Sequence, residues 1–352
     1  MRGLASRGAQ ILLLTQVPLN DPFLADYIED MRSSTNNELI TAEQVDLTSL
    51  HSIRTFATKW IDNAPPRRLD MVVLCASTQI PRGGKLQSTD EGVELTWEVN
   101  YLANFHLLSI LSPAIRAQPP DRDVRIIIGT CVSYLASEFP IEAEELDEKS
   151  KTSSKKPKKT KSAAQQSSKT FNPGAAYASS KLALMSFACA FQKHLSAYVR
   201  PDKAPMNARV LMVDPGFTRT PGMRRHLSWG SLFGLFLYLI LYPFWWFVLK
   251  SPDAGAQSFL SAAMEAEFGR GEGAYFIKEC RQTKPGRYDF QNEEVQKSLW
   301  QYSEEMVQEA EKRGALARAN AKKEAESVKE EPVKPKESAI KQPTSRKGRK
   351  AG

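Results

Sequence analysis

The sequence has 352 residues, 41% of them apolar, so the chain is long enough for one large folded domain with additional segments. Its net charge of +8 comes from residues 312–352, which contain 13 Lys or Arg and 5 Glu. The rest is neutral overall and no aromatic platform accompanies the Lys-rich stretches, so nucleic-acid binding is not expected. The four cysteines have no CxxC spacing, which argues against a metal site and for reduced thiols in a cytosol-facing protein.

Short apolar, β-rich runs alternate with longer helical patterns between residues 9 and 278. Strands that are apolar on both faces and alternate with helices indicate an α/β fold with a doubly wound parallel sheet of the Rossmann type. In such a fold the ligand lies at the carboxyl ends of the strands. Strands are predicted at residues 9–15, 38–47, 69–77, 124–131, 208–214 and 274–278, and helices at residues 50–61, 93–111 and 177–195.

Two insertions interrupt this alternation. Residues 141–170 contain a Lys-rich run without acids after an acidic one, which is typical of a polar, solvent-exposed loop. Contact of this loop with an anionic membrane surface is an alternative. Residues 227–249 contain no charge and would span roughly 34 Å as a helix, enough to cross a bilayer. The folded domain is expected over residues 1–310, and residues 311–352 are expected to be a charged, mostly disordered tail.

The topology excludes a single membrane crossing by residues 227–249, because the strands on either side of them belong to one sheet. Arg224 and Arg225 precede the segment and Lys250 follows it, which favours both ends on the cytosolic face. We therefore expect insertion into one leaflet, as a hairpin bent near Pro243 or as a helix lying in the interface. A buried helix of the core is the alternative, and the length and unbroken apolarity of the segment disfavour it.

The motif Tyr177-Ala-Ser-Ser-Lys181 places a phenol and an ammonium one turn apart on the same face of a predicted helix. A lysine in this position favours the phenolate and is expected to lower the pKa of Tyr177. Such a tyrosine can act as a general acid or base near neutral pH. The same spacing also occurs on ordinary helix surfaces, so the surrounding motifs decide its meaning.

Those motifs follow the order found in the short-chain dehydrogenase/reductase family, and the resemblance extends over residues 4–310. KSPDAGAQ (250–257) and EGAYF (272–276) are similar to the retinol-dehydrogenase-like branch. The resemblance implies that Tyr177 and Lys181 are the catalytic pair and that Asn100 holds a proton-relay water. It also implies a set of cofactor contacts, comprising Asp46 and Leu47 at the adenine, Lys181 at the nicotinamide ribose, Pro215, Gly216 and Thr220 at the carboxamide, and Ala76, Asn100 and Tyr177 nearby.

The chain departs from the family pattern at two strand ends. The family's Asn-Asn-Ala-Gly reads Leu74-Cys75-Ala76-Ser77, so only the alanine remains. The family's catalytic serine closes a Ser-Ser pair, and here that pair reads Thr130-Cys131, with Ser133 two residues later. Since a thiol is a poor hydrogen-bond donor, Thr130 or Ser133 is expected to orient the substrate, and Cys131 is interpreted as a packed strand-end residue.

The cofactor site is incomplete in the sequence. The strand at residues 9–15 ends in Thr15-Gln16, without the carboxylate that would bind the ribose of NAD, which favours NADP(H) over NAD(H). The family's TGxxxGxG phosphate loop is absent from the 352 residues. Strands 9–15 and 69–77 would normally flank a central first strand, and without it both would have exposed apolar edges. We therefore expect Met1 to lie within the first helix of a longer enzyme.

These observations lead to two hypotheses. The first is an NADP(H)-dependent oxidoreductase that interconverts a lipophilic ketone or aldehyde and its alcohol at the endoplasmic reticulum membrane or a lipid droplet. The second is a catalytically impaired pseudo-dehydrogenase that acts as an interaction protein at the same membrane or lipid-droplet surface. The intact Tyr177, Lys181 and Asn100 favour the first, whereas the missing phosphate loop favours the second. In either case the protein faces the cytosol, and a homodimer is left open.

Overall fold

The computed structural model describes residues 1–63, 67–139, 171–269 and 273–330, with side chains described up to residue 323. The expected Lys-rich loop at residues 141–170 and most of the expected tail therefore lie outside the described residues.

The fold is a Rossmann-like α/β arrangement whose parallel strands form two separately hydrogen-bonded sheets. The first sheet pairs β1 with β2 in parallel, and the second has the order β3-β4-β5-β6-β7, parallel except for the antiparallel pair β6–β7. All the predicted strands are present, and the antiparallel β7 at the sheet edge was not predicted. The strands are β1 (Ile11–Thr15), β2 (Ile40–Gln44), β3 (Met71–Leu74), β4 (Val124–Gly129), β5 (Ala208–Asp214), β6 (Tyr275–Lys278) and β7 (Arg281–Gln282).

β1 and β3 face the same hydrophobic core without being paired to each other. Leu12 and Leu14 of β1 pack against that core, as do Val72 and Leu74 of β3. Among the described strands, β1 pairs with β2 and β3 pairs with β4, so each of them has one unpaired edge. This agrees with the prediction that these two strands are not neighbours in the sheet.

Side-chain hydrogen bonds shorten several strands relative to the prediction. β2 begins at Ile40 rather than at residue 38, because the Asn37 side chain bonds the Ala5 and Ala9 carbonyls and the Leu39 amide. β3 ends at Leu74 rather than at residue 77, because the loop after it is bound by Asn100. Local sequence favoured extended backbone at both places, and long-range contacts overrode it.

Helices lie between the strands as the sequence predicts, with different ends. The helix predicted at residues 177–195 is α6 (Pro173–Ser196). It starts before Tyr177 because Asn172 caps it and a proline occupies its first turn. A π-helical turn, Glu98–Leu102, joins α4 to α5 and contains Asn100. The helices are α1 (Arg2–Ala5), α2 (Pro22–Thr35), α3 (Leu50–Ile61), α4 (Leu95–Trp97), α5 (Ala103–Arg116), α6 (Pro173–Ser196), α7 (Pro221–Leu227), α8 (Leu232–Ile240), α9 (Tyr242–Val248), α10 (Pro252–Met264) and α11 (Glu293–Glu330).

α11 extends past residue 310, where the folded domain was expected to end. The chain divides into a compact unit, Met1–Gly314, and a second unit, Ala315–Gly352, and α11 is helical from Glu293 to Glu330. Within the compact unit, Glu311 forms an ion pair with Arg54. That the tail is mostly disordered stays a prediction.

The apolar segment at residues 227–249 folds into short helices. α8 and α9 are separated by Leu241 alone, so the bend lies two residues before Pro243, and the tight turn between α7 and α8 has positive φ at Trp229 and Gly230. Most of its large apolar side chains are exposed, which excludes the alternative of a buried core helix. Within the described part of the chain, no helix is both long enough and apolar enough to cross a membrane.

Candidate active site

Tyr177, in the first half of α6, faces residues at the carboxyl ends of β3 and β4. Its hydroxyl lies 3.7 Å from the Cys131 sulfur, which donates to it, and Ser77 also hydrogen-bonds the phenol. The side chain is half-buried, whereas the α6 residues that follow it are buried. The predicted catalytic tyrosine is therefore at the strand edge where a doubly wound fold binds its ligand.

The pKa of Tyr177 is raised, which contradicts the expectation that Lys181 lowers it. Burial is the largest cause and the neighbouring Cys131 adds to it, while the hydrogen bond from Ser77 acts in the opposite direction. A buried phenol resists ionisation because its charged form loses hydration. Tyr177 is consequently protonated near neutral pH, the form that can donate a proton to a carbonyl oxygen.

Lys181 lies one turn after Tyr177 and is almost fully buried. Its Nζ donates to the Gly129 carbonyl at 3.0 Å, at the end of β4, and lies 5.8 Å from the centre of the Tyr177 ring. Burial lowers the pKa of Lys181. The predicted pair is thus brought together, but the ammonium is directed at the backbone of β4, which explains why it does not lower the pKa of the phenol.

Asn100 has no exposed surface and connects three elements of the site. Its Oδ1 accepts from the Thr78 amide at 2.7 Å, and its Nδ2 donates to the Thr78 carbonyl at 2.9 Å and to Ser180 Oγ at 3.1 Å. The Asn100 carbonyl in turn accepts from the Asn104 side chain at 2.8 Å. Asn100 therefore holds the loop after β3 against α6, next to the predicted pair Tyr177 and Lys181.

The residues after β4 differ in how close they come to Tyr177. Thr130 is buried, and its hydroxyl has no hydrogen-bond partner among the described residues. Ser133 reaches the site through Cys131, since its Oγ lies 2.8 Å from the Cys131 sulfur. Cys131, interpreted from the sequence as a packing residue, is the residue in contact with the phenol. The sequence signal that could have identified this contact is the position of Cys131 in the Thr130-Cys131 pair, where the family has its Ser-Ser pair.

Two further groups of predicted cofactor residues stand at neighbouring strand ends. Beyond β5, Gly216 has a φ of +73° and its amide donates to Asp214, while Pro215 is half-buried. Thr220, further along, is exposed and caps α7 by accepting from the Met223 amide. Beyond β2, Asp46 accepts from the amide and hydroxyl of Thr48, Leu47 packs against the core, and Ala76 is exposed after β3.

The chemistry of these donors fits the nicotinamide end of a dinucleotide. A lysine ammonium suits ribose hydroxyls, and the left-handed turn at Gly216 exposes backbone groups that suit a carboxamide. The unpartnered Thr130 hydroxyl lies at the same edge. Among the described turns at the carboxyl ends of β1 to β5, none has the glycine-rich sequence that would bind the diphosphate.

The apolar segment begins and ends beside the β5 loop. A bridge pairs Thr218 with Lys250: the Lys250 amide donates to the Phe217 carbonyl, and the Arg219 amide donates to the Lys250 carbonyl, both at 2.9 Å. Lys250 also forms an ion pair with Glu279 at 2.6 Å. The two ends of the segment α7–α9 therefore meet at this bridge, and Thr218 lies four residues after Asp214, the last residue of β5.

Comparison with known proteins identifies the family of this chain. An uncharacterised oxidoreductase of Schizosaccharomyces pombe, pbr1, is 42% identical over 309 residues, which cover 88% of this chain and 77% of the relative. Mouse retinol dehydrogenase 13 is 30% identical, over 90% of this chain and 82% of its own length. The chain belongs to the short-chain dehydrogenase/reductase family. It is an enzyme of that oxidoreductase class, although no family model matches it.

More distant similarities extend the comparison. Human polyprenol dehydrogenase is 26% identical, over 82% of this chain and 75% of its own length. Among solved structures, an uncharacterised protein from Mycobacterium paratuberculosis has a TM-score of 0.54 at 20% identity and covers 87% of both chains. The Pseudomonas aeruginosa RhlG/NADP complex has a TM-score of 0.50 at 19% identity, over 79% of this chain and 87% of the other. These structural similarities show the fold.

Proposed function

We propose that this enzyme interconverts a lipophilic alcohol and its aldehyde or ketone, with NADP(H), at a membrane or lipid-droplet surface. The observation that carries the proposal is the Thr218–Lys250 bridge, which anchors an exposed apolar segment beside the loop after β5. The relatives named for retinol and polyprenol dehydrogenation support a lipophilic substrate. The same segment supports the proposed cytosol-facing location at the endoplasmic reticulum or a lipid droplet.

The proton in this reaction moves through Tyr177. In reduction, the protonated phenol donates to the carbonyl oxygen of the substrate as negative charge develops there. Asn100 holds the loop after β3 and the turn of α6 in place, and Lys181 would bind ribose hydroxyls from its position at Gly129. The bound nicotinamide supplies or accepts the hydride.

The pair Cys131–Ser133 is our candidate for the group that orients the substrate oxygen, in preference to Thr130. The thiol already contacts the Tyr177 hydroxyl, and Ser133 is bonded to that thiol. The Cys131→Ser variant should retain activity because a hydroxyl is a stronger donor than a thiol. In contrast, Cys131→Ala should lower kcat by at least about tenfold, the loss expected for one hydrogen bond to a developing charge.

The preference for NADP(H) over NAD(H) rests on Gln16, which stands where a carboxylate would bind the NAD ribose. Titrating the protein with NADPH and with NADH tests this preference. We expect tighter binding of NADPH, and equal affinity for the two cofactors would contradict it.

Activity is tested with retinal and a polyprenal as substrates in detergent micelles, following NADPH oxidation. We expect turnover by the wild-type enzyme and its loss in Tyr177→Phe, which keeps the ring and removes the hydroxyl. If the protein binds NADPH but turns over neither substrate above the Tyr177→Phe level, the pseudo-dehydrogenase hypothesis replaces this one.

Membrane contact is tested separately, by flotation with neutral phosphatidylcholine vesicles. Phe233 and Phe247 are 71% and 86% exposed, and we expect their double substitution by Ser to reduce vesicle binding at least tenfold. Phe23, which is 83% exposed on α2, is the matched control, and Phe23→Ser should bind like the wild type. Replacement of residues 227–249 by a Gly/Ser linker should abolish binding. If it does not, the segment is not the contact.

A further inference from the structure

The segment from Pro215 to Lys250 carries positive charge and no acidic residue. Its four cations are Arg219, Arg224, Arg225 and Lys250, and no Asp or Glu occurs among these 36 positions. Arg224 and Arg225 are exposed in the last turn of α7, and neither forms an ion pair with any described residue. Lys250, in contrast, is neutralised by Glu279. The free positive charge of the segment is therefore concentrated on α7.

α7 is held rigidly at the base of the apolar helix α8. The turn between them uses left-handed backbone at Trp229 and Gly230. Gly234 of α8 approaches the Ser228 carbonyl so closely that a side chain at position 234 would collide with it. Ser231 caps α8 and donates to the same Ser228 carbonyl at 3.2 Å. The two arginines thus keep a fixed position relative to α8 and cannot fold away from it.

The exposed apolar surface lies on the helices next to these arginines. Leu232 is 87% exposed at the start of α8, and Phe247 is 86% exposed in α9. The guanidinium of Arg219 lies 5.3 Å from the centre of the Trp246 ring, so another cation stands beside an exposed aromatic side chain. Tryptophan and arginine together are typical of the headgroup level of a bilayer, above side chains that reach the acyl chains.

We infer that α7 binds anionic phospholipid headgroups while α8 and α9 contact the acyl chains of the same leaflet. This rests on the proposed membrane contact and names the lipid class that the contact selects. Two exposed arginines without a described ion pair, in a segment without acidic residues, complement a negatively charged surface. Each cation at such a surface contributes about fivefold to the affinity. Because Thr220 both caps α7 and belongs to the β5 loop, the bound headgroups would lie next to the substrate side of the active site.

The test compares vesicles of phosphatidylcholine alone with vesicles that also contain phosphatidylserine, at constant protein concentration. The wild-type chain should bind the anionic vesicles at least about thirtyfold more tightly than the neutral ones. The Arg224→Gln/Arg225→Gln variant should lose most of that preference, about thirtyfold in affinity for the two arginines together, and keep its affinity for neutral vesicles. Raising the salt concentration should reduce the wild-type preference in the same way, since it screens surface charge.

A charge-matched control removes two exposed lysines elsewhere, in the variant Lys284→Gln/Lys297→Gln, which should keep the preference. Equal preference in the α7 variant and the wild type, or loss of preference in the lysine control as well, would overturn the inference. So would a wild type that binds neutral and anionic vesicles equally, although that result leaves the proposed membrane contact intact. Failure to bind either vesicle would overturn both.

Discussion

Glu98 offers the sharpest test of the energetics around the active site. It begins the π-helical turn that contains Asn100 and has no exposed surface. Its Oε2 accepts a hydrogen bond from the Thr89 hydroxyl, and its Oε1 has no hydrogen-bond partner among the described residues. Burial raises the pKa of Glu98 to about 8, against the opposing effect of the Thr89 bond. The folded protein therefore holds this carboxyl protonated at neutral pH.

The sign of the effect follows from proton linkage. The unfolded chain has a carboxyl with a pKa near 4.5, so between that value and about 8 folding takes up a proton. Stability should therefore decrease as pH rises through this range, by at most about 1.4 kcal/mol per pH unit. Replacing Glu98 with Gln removes the proton uptake. We expect Glu98→Gln to stabilise the protein by up to about 3 kcal/mol at pH 7 and by almost nothing near pH 4.

The assay is urea unfolding of the wild type and the variant at several pH values between 4 and 8, with the free energy of unfolding compared at each. Taking the difference between the two proteins cancels the titration of all other groups. Glu305→Gln, an exposed change on α11, should show no pH-dependent difference. A Glu98→Gln effect that is constant with pH, or that grows as pH falls, would refute the reasoning.

Three further predictions concern buried side chains of the folded domain. Trp300→Ala should destabilise the protein by about 2–3 kcal/mol in urea unfolding, because the ring packs edge-on against Phe105 and also contacts Phe187. The control Leu316→Ala, at a side chain 65% exposed, should change the free energy of unfolding by less than about 0.5 kcal/mol. Burial lowers the pKa of His106 to about 4, so between pH 6.5 and 4 the unfolded chain binds a proton there that the folded protein does not. The wild type should therefore lose stability as pH falls through this range, and His106→Gln should lose less. Thermal unfolding at each pH measures the difference. Arg125→Met should lower the free energy of unfolding by about 1–3 kcal/mol, since it removes the buried donor to the Ala262 carbonyl; an unchanged value would show that this bond is replaced by solvent.

Much of the fold was readable from local pattern. The apolar runs and the amphipathic face at Leu50, Ile53 and Phe56 predicted strands and helices that the structure confirms, because each buries a face whose period the sequence displays. Element ends were predicted less well. Asn37 sets where β2 begins and Asn100 sets where β3 ends, both through hydrogen bonds to distant backbone, and nothing in the local sequence marks those partners.

In the candidate site too, local spacing was predictable from the sequence and distant contacts were not. Tyr177 and Lys181 could be paired from their spacing, since a helix places positions four apart on one face. The ionisation of the phenol could not be predicted, because it depends on burial and on where the Lys181 ammonium points. The contact of Cys131 with the phenol could not be predicted either, because it arises from the way β4 approaches α6.

The sequence by itself determined that this is a doubly wound α/β enzyme with a tyrosine–lysine pair and a long apolar insertion, because periodicity, spacing and charge are properties of the chain. Only the tertiary structure decided that Glu311 pairs with Arg54, that the Cys131 thiol contacts Tyr177, and that the insertion returns to its starting point at the Thr218–Lys250 bridge. Each of these depends on contacts between residues far apart in the chain, and such contacts leave no local pattern.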